Sequence, residues 1–224
     1  AYQLAYLKAH FPLHFMASLL TSVIGNEDKI ASYSRELRHL GYSIKAPSIN
    51  KSNYRFEVEN NSIRFSLAAI KGIGIQALKE IVNARKEKPF TDLFDFCLRV
   101  PLKTVNRKTI ESLIYSGSFD EFGKDRATLL ATVDVAIDHA QLMKPDDQQM
   151  DIQFFQTLGI KPKYVDVEPM PVDLKLQNEK EVLGMFISEH PASINREIFQ
   201  LHGAIFIDDI ERMKQTVKIA AYIQ

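Results

Sequence analysis

Apolar residues return at helical spacing from the start of the chain: Leu4, Leu7 and Phe11, then Phe15 and Leu19. The spacing predicts a helix over Tyr2–His10 and a second that opens at Pro12, where the missing N–H costs nothing, and continues over 13–23. Gly25-Asn26 breaks the pattern. A third helix follows over 28–40, with Ile30, Tyr33, Leu37 and Leu40 on one face and Gly41 as its stop. Residues 42–47 read as extended, and period-two alternation over 54–58 and 63–67 around Asn60-Asn61 predicts a β-hairpin. Helices are expected over 75–88, Leu93–Arg99, 106–116 and 125–143. The stretch 144–171 has little periodicity and holds four of the nine prolines, so it reads as a linker. Helices over 179–186 and 191–201 follow. The run 217–223 is strand-like, without a turn or a partner strand. Together with an opening inside an amphipathic pattern and no initiator Met, it suggests an excised piece. The fold class expected is mainly α with a small β element (α+β).

Composition narrows the class. With 46% hydrophobic and 25% charged residues in 224, the chain can build a core and is not globally disordered. No apolar run approaches the ~20 residues of a membrane-spanning helix, and the N-terminus does not read as a signal peptide, so no membrane partner is expected. A single cysteine, Cys97, excludes an internal disulfide and fits a reducing cytoplasm. The net charge of zero is an average: residues 1–61 carry +2, residues 62–130 carry +4, and residues 131–224 carry −6. A basic middle beside an acidic tail suggests two surfaces with different partners.

Ile70-Lys71-Gly72-Ile73-Gly74-Ile75-Gln76-Ala77-Leu78 lies in the basic part and carries the strongest local signal. Gly72, Gly74 and Ala77 satisfy the G-x-G-x-x-A dinucleotide fingerprint, but a dinucleotide-dependent oxidoreductase needs a second strand after the helix. Pro89-Phe90-Thr91-Asp92 follows instead, a turn and a helix start. In the other reading, two short helices meet at a tight Gly-x-Gly turn, with apolar positions Leu67, Ile70, Ile73, Leu78, Ile81 and Val82. Glycine at both positions would allow positive φ and a close approach by a phosphate. Backbone N–H groups of the turn and of the start of the second helix, with the helix dipole, would hold that phosphate, and Lys71 and Lys79 would attract it. Such binding ignores base sequence and weakens with salt. A plain helical turn with a glycine cap fits the same residues.

A second, degenerate hairpin is expected where the helix from Asn106-Arg107 runs into Ser116-Gly117-Ser118-Phe119-Asp120 and Asp125-Arg126 opens the next. Gly117, Ser118 and Phe119 would form its turn, with Arg107, Lys124 and Arg126 nearby. Two hairpins joined by the helix Leu93–Arg99 would straddle a duplex minor groove and grip phosphates on both strands.

The order of these motifs resembles the bacterial DNA polymerase III alpha subunit family. Ala5-Tyr6-Leu7-Lys8-Ala9-His10-Phe11-Pro12, with Phe15-Met16-Ala17 and Leu19-Leu20-Thr21, is similar to the end of its fingers domain. The segments around Gly72-Ile73-Gly74 and Ser116-Gly117-Ser118-Phe119-Asp120 resemble its tandem helix-hairpin-helix domain. Glu179-Lys180-Glu181-Val182-Leu183-Gly184 with Ser188-Glu189-His190-Pro191 resembles the segment before its OB fold. The resemblance implies four regions: 1–66 fingers end with a β-hairpin, 67–143 tandem hairpins, 144–178 linker, and 179–224 pre-OB helices with one OB strand. It further implies a cytoplasmic, Mg²⁺-dependent replicative polymerase with other replisome subunits as partners. The palm carboxylates of that family would lie before Ala1, so neither nucleotidyl transfer nor a cofactor is expected in this chain by itself.

The family also holds its sliding clamp through a short peptide after the hairpins: a Gln, a spacer pair, an apolar residue and an aromatic. Gln149-Met150-Asp151-Ile152-Gln153-Phe154 stands in that place with one extra residue, Gln153. Gln149 would bond at the pocket rim, with Ile152 and Phe154 filling it. In the competing reading, Phe154 and Phe155 pack on the chain's own core. Elsewhere, the six histidines lack partners at metal-ligand spacing, and Cys97 suits a buried apolar position. Lys8 fits either a place near an incoming nucleotide or a solvated helix face. A stand-alone helix-hairpin-helix module of a repair or recombination protein is the non-enzymatic alternative.

Overall fold

The structure, a computed structural model, describes residues 2–143, 162–189, Leu201, Ala204–Ile205 and Lys218–Ile219. Helices α1 (Tyr2–His10), α2 (Pro12–Ser22) and α3 (Glu27–His39) open it, followed by strands β1 (Ser43–Lys45), β2 (Glu57–Glu59) and β3 (Ser62–Arg64). A single 3₁₀ turn at Leu67–Ala69 leads to α4 (Ile75–Ala84), α5 (Leu93–Arg99) and α6 (Arg107–Tyr115). A second 3₁₀ turn at Asp120–Phe122 precedes α7 (Arg126–Met143), and α8 spans Val172–Leu183. Strands β4 (Ala204–Ile205) and β5 (Lys218–Ile219) pair with each other.

The fold is mainly α with a small β element, as its periodicity predicts. In α3, Asn26 accepts a hydrogen bond from the N–H of Lys29, Glu27 and Asp28 sit at the positive end of the dipole, and Arg38 and His39 at the negative end. Ile30 and Leu37 face the core from this helix. The hairpin turns at Asn60 (φ 47°) and Asn61 (φ 60°), a pair of left-handed residues that asparagine tolerates and that match the strand twist. β3 is central: it pairs antiparallel with β2, Val58 opposite Ile63, and parallel with β1, Ile44 opposite Ile63. The third, parallel strand extends the expected hairpin.

One apolar core runs from Met16 and Leu20 on α2, through Ile63 and Phe65, to Leu113 on α6 and Leu183 on α8. α5 puts Leu93, Phe94, Phe96 and Cys97 into it, and Phe96 makes edge contacts with Phe90 and Phe119, each at 4.9 Å between ring centres. The buried Cys97 fills the apolar position expected of it.

Three expectations need correction. α8 begins at Val172, directly after the 144–171 stretch and well before the expected start at 179, because Val172 and Leu174 in its first turn are exposed and set no buried apolar stripe for a periodicity to report. The strand expected near the C-terminus has a partner: Lys218–Ile219 pairs in parallel with Ala204–Ile205. The helix expected before Gly72 is only the 3₁₀ turn at Leu67–Ala69. That last fact also removes the dinucleotide reading, since a turn stands where its first strand belongs and α5 follows α4. The helix expected over 191–201 lies outside the described residues except for the helical Leu201.

Candidate nucleic-acid interface

The first hairpin is built around a conformational demand at Gly72. Its φ is +87°, and a Cβ there would stand 2.8 Å from Ser112 Oγ on α6, so a side chain is excluded by both backbone and neighbour. The N–H of Lys71 donates to Val182 O at 2.9 Å, tying the turn to α8, and Ile73 N–H donates back to Ile70 O. Gly74 differs from expectation: its φ is −76°, an ordinary extended value, and a Cβ would meet nothing within 4 Å.

Gly74 is the residue before α4 and has no side chain to cap it. Among the described residues the N–H groups of Gly74, Ile75, Gln76 and Ala77 donate to no protein acceptor, and the helix ladder begins with Leu78 N–H to Gly74 O. They stand at the positive end of the α4 dipole; Gly74, Ile75 and Gln76 are exposed, Ile75 to 67%, while Ala77 is buried. Lys79 is exposed, and Lys71 is exposed with its ammonium 3.8 Å from Glu27. N–H groups without an acceptor at an exposed helix start are what an anionic oxygen requires.

The second hairpin is wired inward. α6 ends in a Schellman turn: Ser118 N–H donates to Leu113 O and Gly117 N–H to Ile114 O, which uses both donors. Gly117 has φ +80°, and its missing Cβ makes room for the Arg126 guanidinium and for Asp120 Oδ2, 2.9 Å from where that Cβ would be. Arg126 is buried, bonded to both oxygens of Asp120 at 2.9 and 2.7 Å, to Tyr115 O at 2.9 Å and to the buried Glu179. Burial pulls the Arg126 pKa down, but the hydrogen bonds and charges of Asp120 and Glu179 outweigh it and raise the value. Glu179 also accepts the N–H groups of Ile187 at 2.6 Å and Ser188 at 2.8 Å.

The N-terminus of α7 is already occupied by a carboxylate. Asp125 accepts from Ala127 N–H at 2.8 Å and from Met170 N–H at 2.9 Å. A phosphate there would face like charge.

The predicted site residues therefore separate. Lys71, Gly72, Ile73, Gly74, Ile75 and Lys79 share one surface region, with Ile73 half-buried. Gly117, Ser118, Phe119 and Arg126 are buried and serve packing, which corrects the expectation that their turn faces a ligand. Arg107 is exposed but held by Glu111 at 2.8 Å and by Asp134, whose hydrogen bonds raise its pKa. Lys124 is exposed, its ammonium 5.2 Å above the Tyr164 ring. Gln149, Met150, Asp151, Ile152 and Phe154 lie outside the described residues. Lys8 is engaged by Glu36 at 2.6 Å. Sequence reasoning expected the N–H groups at the start of this helix but did not name Gln76 and Ala77 among the site residues, although the side-chain-free cap at Gly74 was the available signal. It also missed the acidic cap at Asp125.

Residues 41–129, which hold both hairpins, match the helix-hairpin-helix motif family. The chain is 56% identical over 210 residues to the DNA polymerase III subunit alpha of Bacillus subtilis (strain 168), covering 94% of this chain and 19% of that protein. The chain belongs to the DNA polymerase III alpha family. The subunit alpha of Staphylococcus epidermidis is 42% identical over 204 residues, 91% of this chain and 19% of the relative. That of Halalkalibacterium halodurans is 36% identical over all 224 residues, 20% of the relative. The chain thus spans about a fifth of the length of these DNA polymerase III alpha relatives, and the helix-hairpin-helix motif lies inside the shared stretch. No described helix is long and apolar enough to cross a membrane. Among the described residues no three His, Cys, Asp or Glu stand together as metal ligands, so the Mg²⁺ that the family implies has no fitted site there.

Proposed function

We propose that this chain holds duplex DNA by its phosphate backbone, without sequence preference, within a cytoplasmic replicative DNA-directed DNA polymerase. The observation that carries this reading is the uncapped start of α4, where the N–H groups from Gly74 to Ala77 have no acceptor among the described residues and Gly74, Ile75 and Gln76 are exposed. A phosphate oxygen would accept from these groups, and Lys71 and Lys79 would add long-range attraction. The grip is one-sided: the first hairpin takes the phosphate, while the second braces α8 and the residues after it. Nucleotidyl transfer and its Mg²⁺ belong to other parts of the polymerase, so the chain alone is inactive in primer extension. Fluorescence anisotropy with a labelled duplex tests the reading. Gly74→Asp places a carboxylate where the phosphate would lie and is expected to weaken binding at least about tenfold. Unchanged affinity would sink the assignment.

The same polymerase reading includes docking of the sliding clamp by Gln149, Met150, Asp151, Ile152 and Phe154, and contacts with other replisome subunits. A Gln with spaced apolar and aromatic anchors in a Pro-flanked polar stretch supports the clamp peptide. Gln149→Ala with Phe154→Ala is expected to abolish clamp pull-down, and retained capture would refute this placement.

A further inference from the structure

A groove of about 320 Å³ opens between α3 and the end of α8. Its walls carry three cations, Arg35, Arg38 and Lys180, against one carboxylate, Asp28, with Phe186 and Met185 forming an apolar side. Arg35 is exposed and makes no hydrogen bond or ion pair among the described residues. Arg38 spends one N–H on Phe186 O at 2.9 Å, and among the described residues its other donors, of the five a guanidinium has, take no partner. Lys180 lies with its ammonium 5.4 Å over the Phe186 ring. Cations gathered at a concave surface with low-polarity walls concentrate an anion more strongly than the same charges on a flat face.

The groove adjoins the first hairpin through short links. Lys71 bonds by its N–H to Val182 O, near the end of α8, and its ammonium lies 3.8 Å from Glu27 on α3. Gly184, in the groove wall, approaches that same Glu27 so closely that a Cβ would stand 3.0 Å from Glu27 Cβ. A strand lying on the open N–H groups of α4 and crossing Lys71 would therefore meet the groove next. We propose that the groove binds a backbone phosphodiester of the DNA strand held by the first hairpin, with Arg35 as the direct contact and Arg38 and Lys180 flanking it. This rests on the hairpin reading and extends its footprint onto α3 and α8.

The full chain is titrated onto a fluorescein-labelled duplex across a salt series. Loss of one phosphate contact in Arg35→Ala lowers the slope of log affinity against log salt by about one and weakens binding by roughly three- to tenfold at low salt. Arg35→Lys restores most of the slope. An unchanged slope in Arg35→Ala, with Gly74→Asp still defective, overturns the groove and leaves the hairpin standing. Absence of salt-dependent duplex binding by the wild-type chain overturns both. A parallel titration with a nucleoside triphosphate separates the other source of phosphate: if Arg35→Ala affects only that ligand, the groove is not a DNA-backbone site.

Discussion

At the first hairpin α4 begins on Gly74, with no side chain over its N–H groups; at the second, α7 begins behind Asp125, whose carboxylate already holds Ala127 and Met170. Both turns contain a glycine at positive φ, Gly72 and Gly117, and in both that glycine removes a Cβ from the path of a neighbour. The neighbours differ in kind. Ser112 behind Gly72 sets the shape of a turn whose far side stays open, whereas Arg126 behind Gly117 closes its turn into an ionic cluster with Asp120 and Glu179. One motif thus leaves a helix start without an acceptor in one place and forms a joint in the other. What distinguishes them is the occupant of the following helix N-terminus.

The largest effect is expected at the joint. Glu179→Ala leaves Arg126 buried without its deepest partner and frees the N–H groups of Ile187 and Ser188, at a cost of about 3–5 kcal/mol in urea unfolding. A loss below about 1 kcal/mol would break the claim that the second hairpin is structural. Next comes the converse at the first hairpin. Gly74→Asn should cap α4 as Asn106 caps α6, and raise stability by a few tenths of a kcal/mol to about 1 kcal/mol, while costing less DNA affinity than the charged Gly74→Asp. A stabilised variant with reduced DNA binding separates ligand site from scaffold; a destabilised one would mean that the open N–H groups have partners in solution.

The smallest effect serves as a control distant from both hairpins. Glu59 accepts from Arg64 at 2.7 and 2.8 Å and from Lys45 at 3.1 Å, and the Arg64 hydrogen bonds, with Lys45 helping against partial burial, lower its pKa from 4.5 to about 2. Because the folded value is depressed, this stabilisation is complete above pH 4.5 and is lost as pH falls toward 2. Glu59→Gln should cost up to about 1 kcal/mol at neutral pH. The difference from wild type should shrink through that acid window, followed by thermal unfolding, with duplex binding unchanged.

Much of the scaffold was legible because short-range rules write it. Leu93–Arg99 and the chain reversal at Asn60-Asn61 follow from local spacing and turn chemistry. Gly72-Ile73-Gly74 likewise marked the first hairpin. The parallel pairing of β1 with β3 was not legible, since nothing in Ser43–Lys45 names a partner across a crossover. Nor was the fate of Arg126. A basic residue at a helix start reads as a phosphate ligand until Glu179, 53 positions away, is folded against it.

By itself the sequence determined most of the described helices, the Asn60-Asn61 turn and the place of two glycine hairpins, because each depends on residues within a few positions of one another. Only the tertiary structure decided which hairpin stays open. That choice depends on where distant groups come to rest: Glu179 and Met170 fold back to close the second, while no described residue accepts a hydrogen bond from the N–H groups beside Gly74.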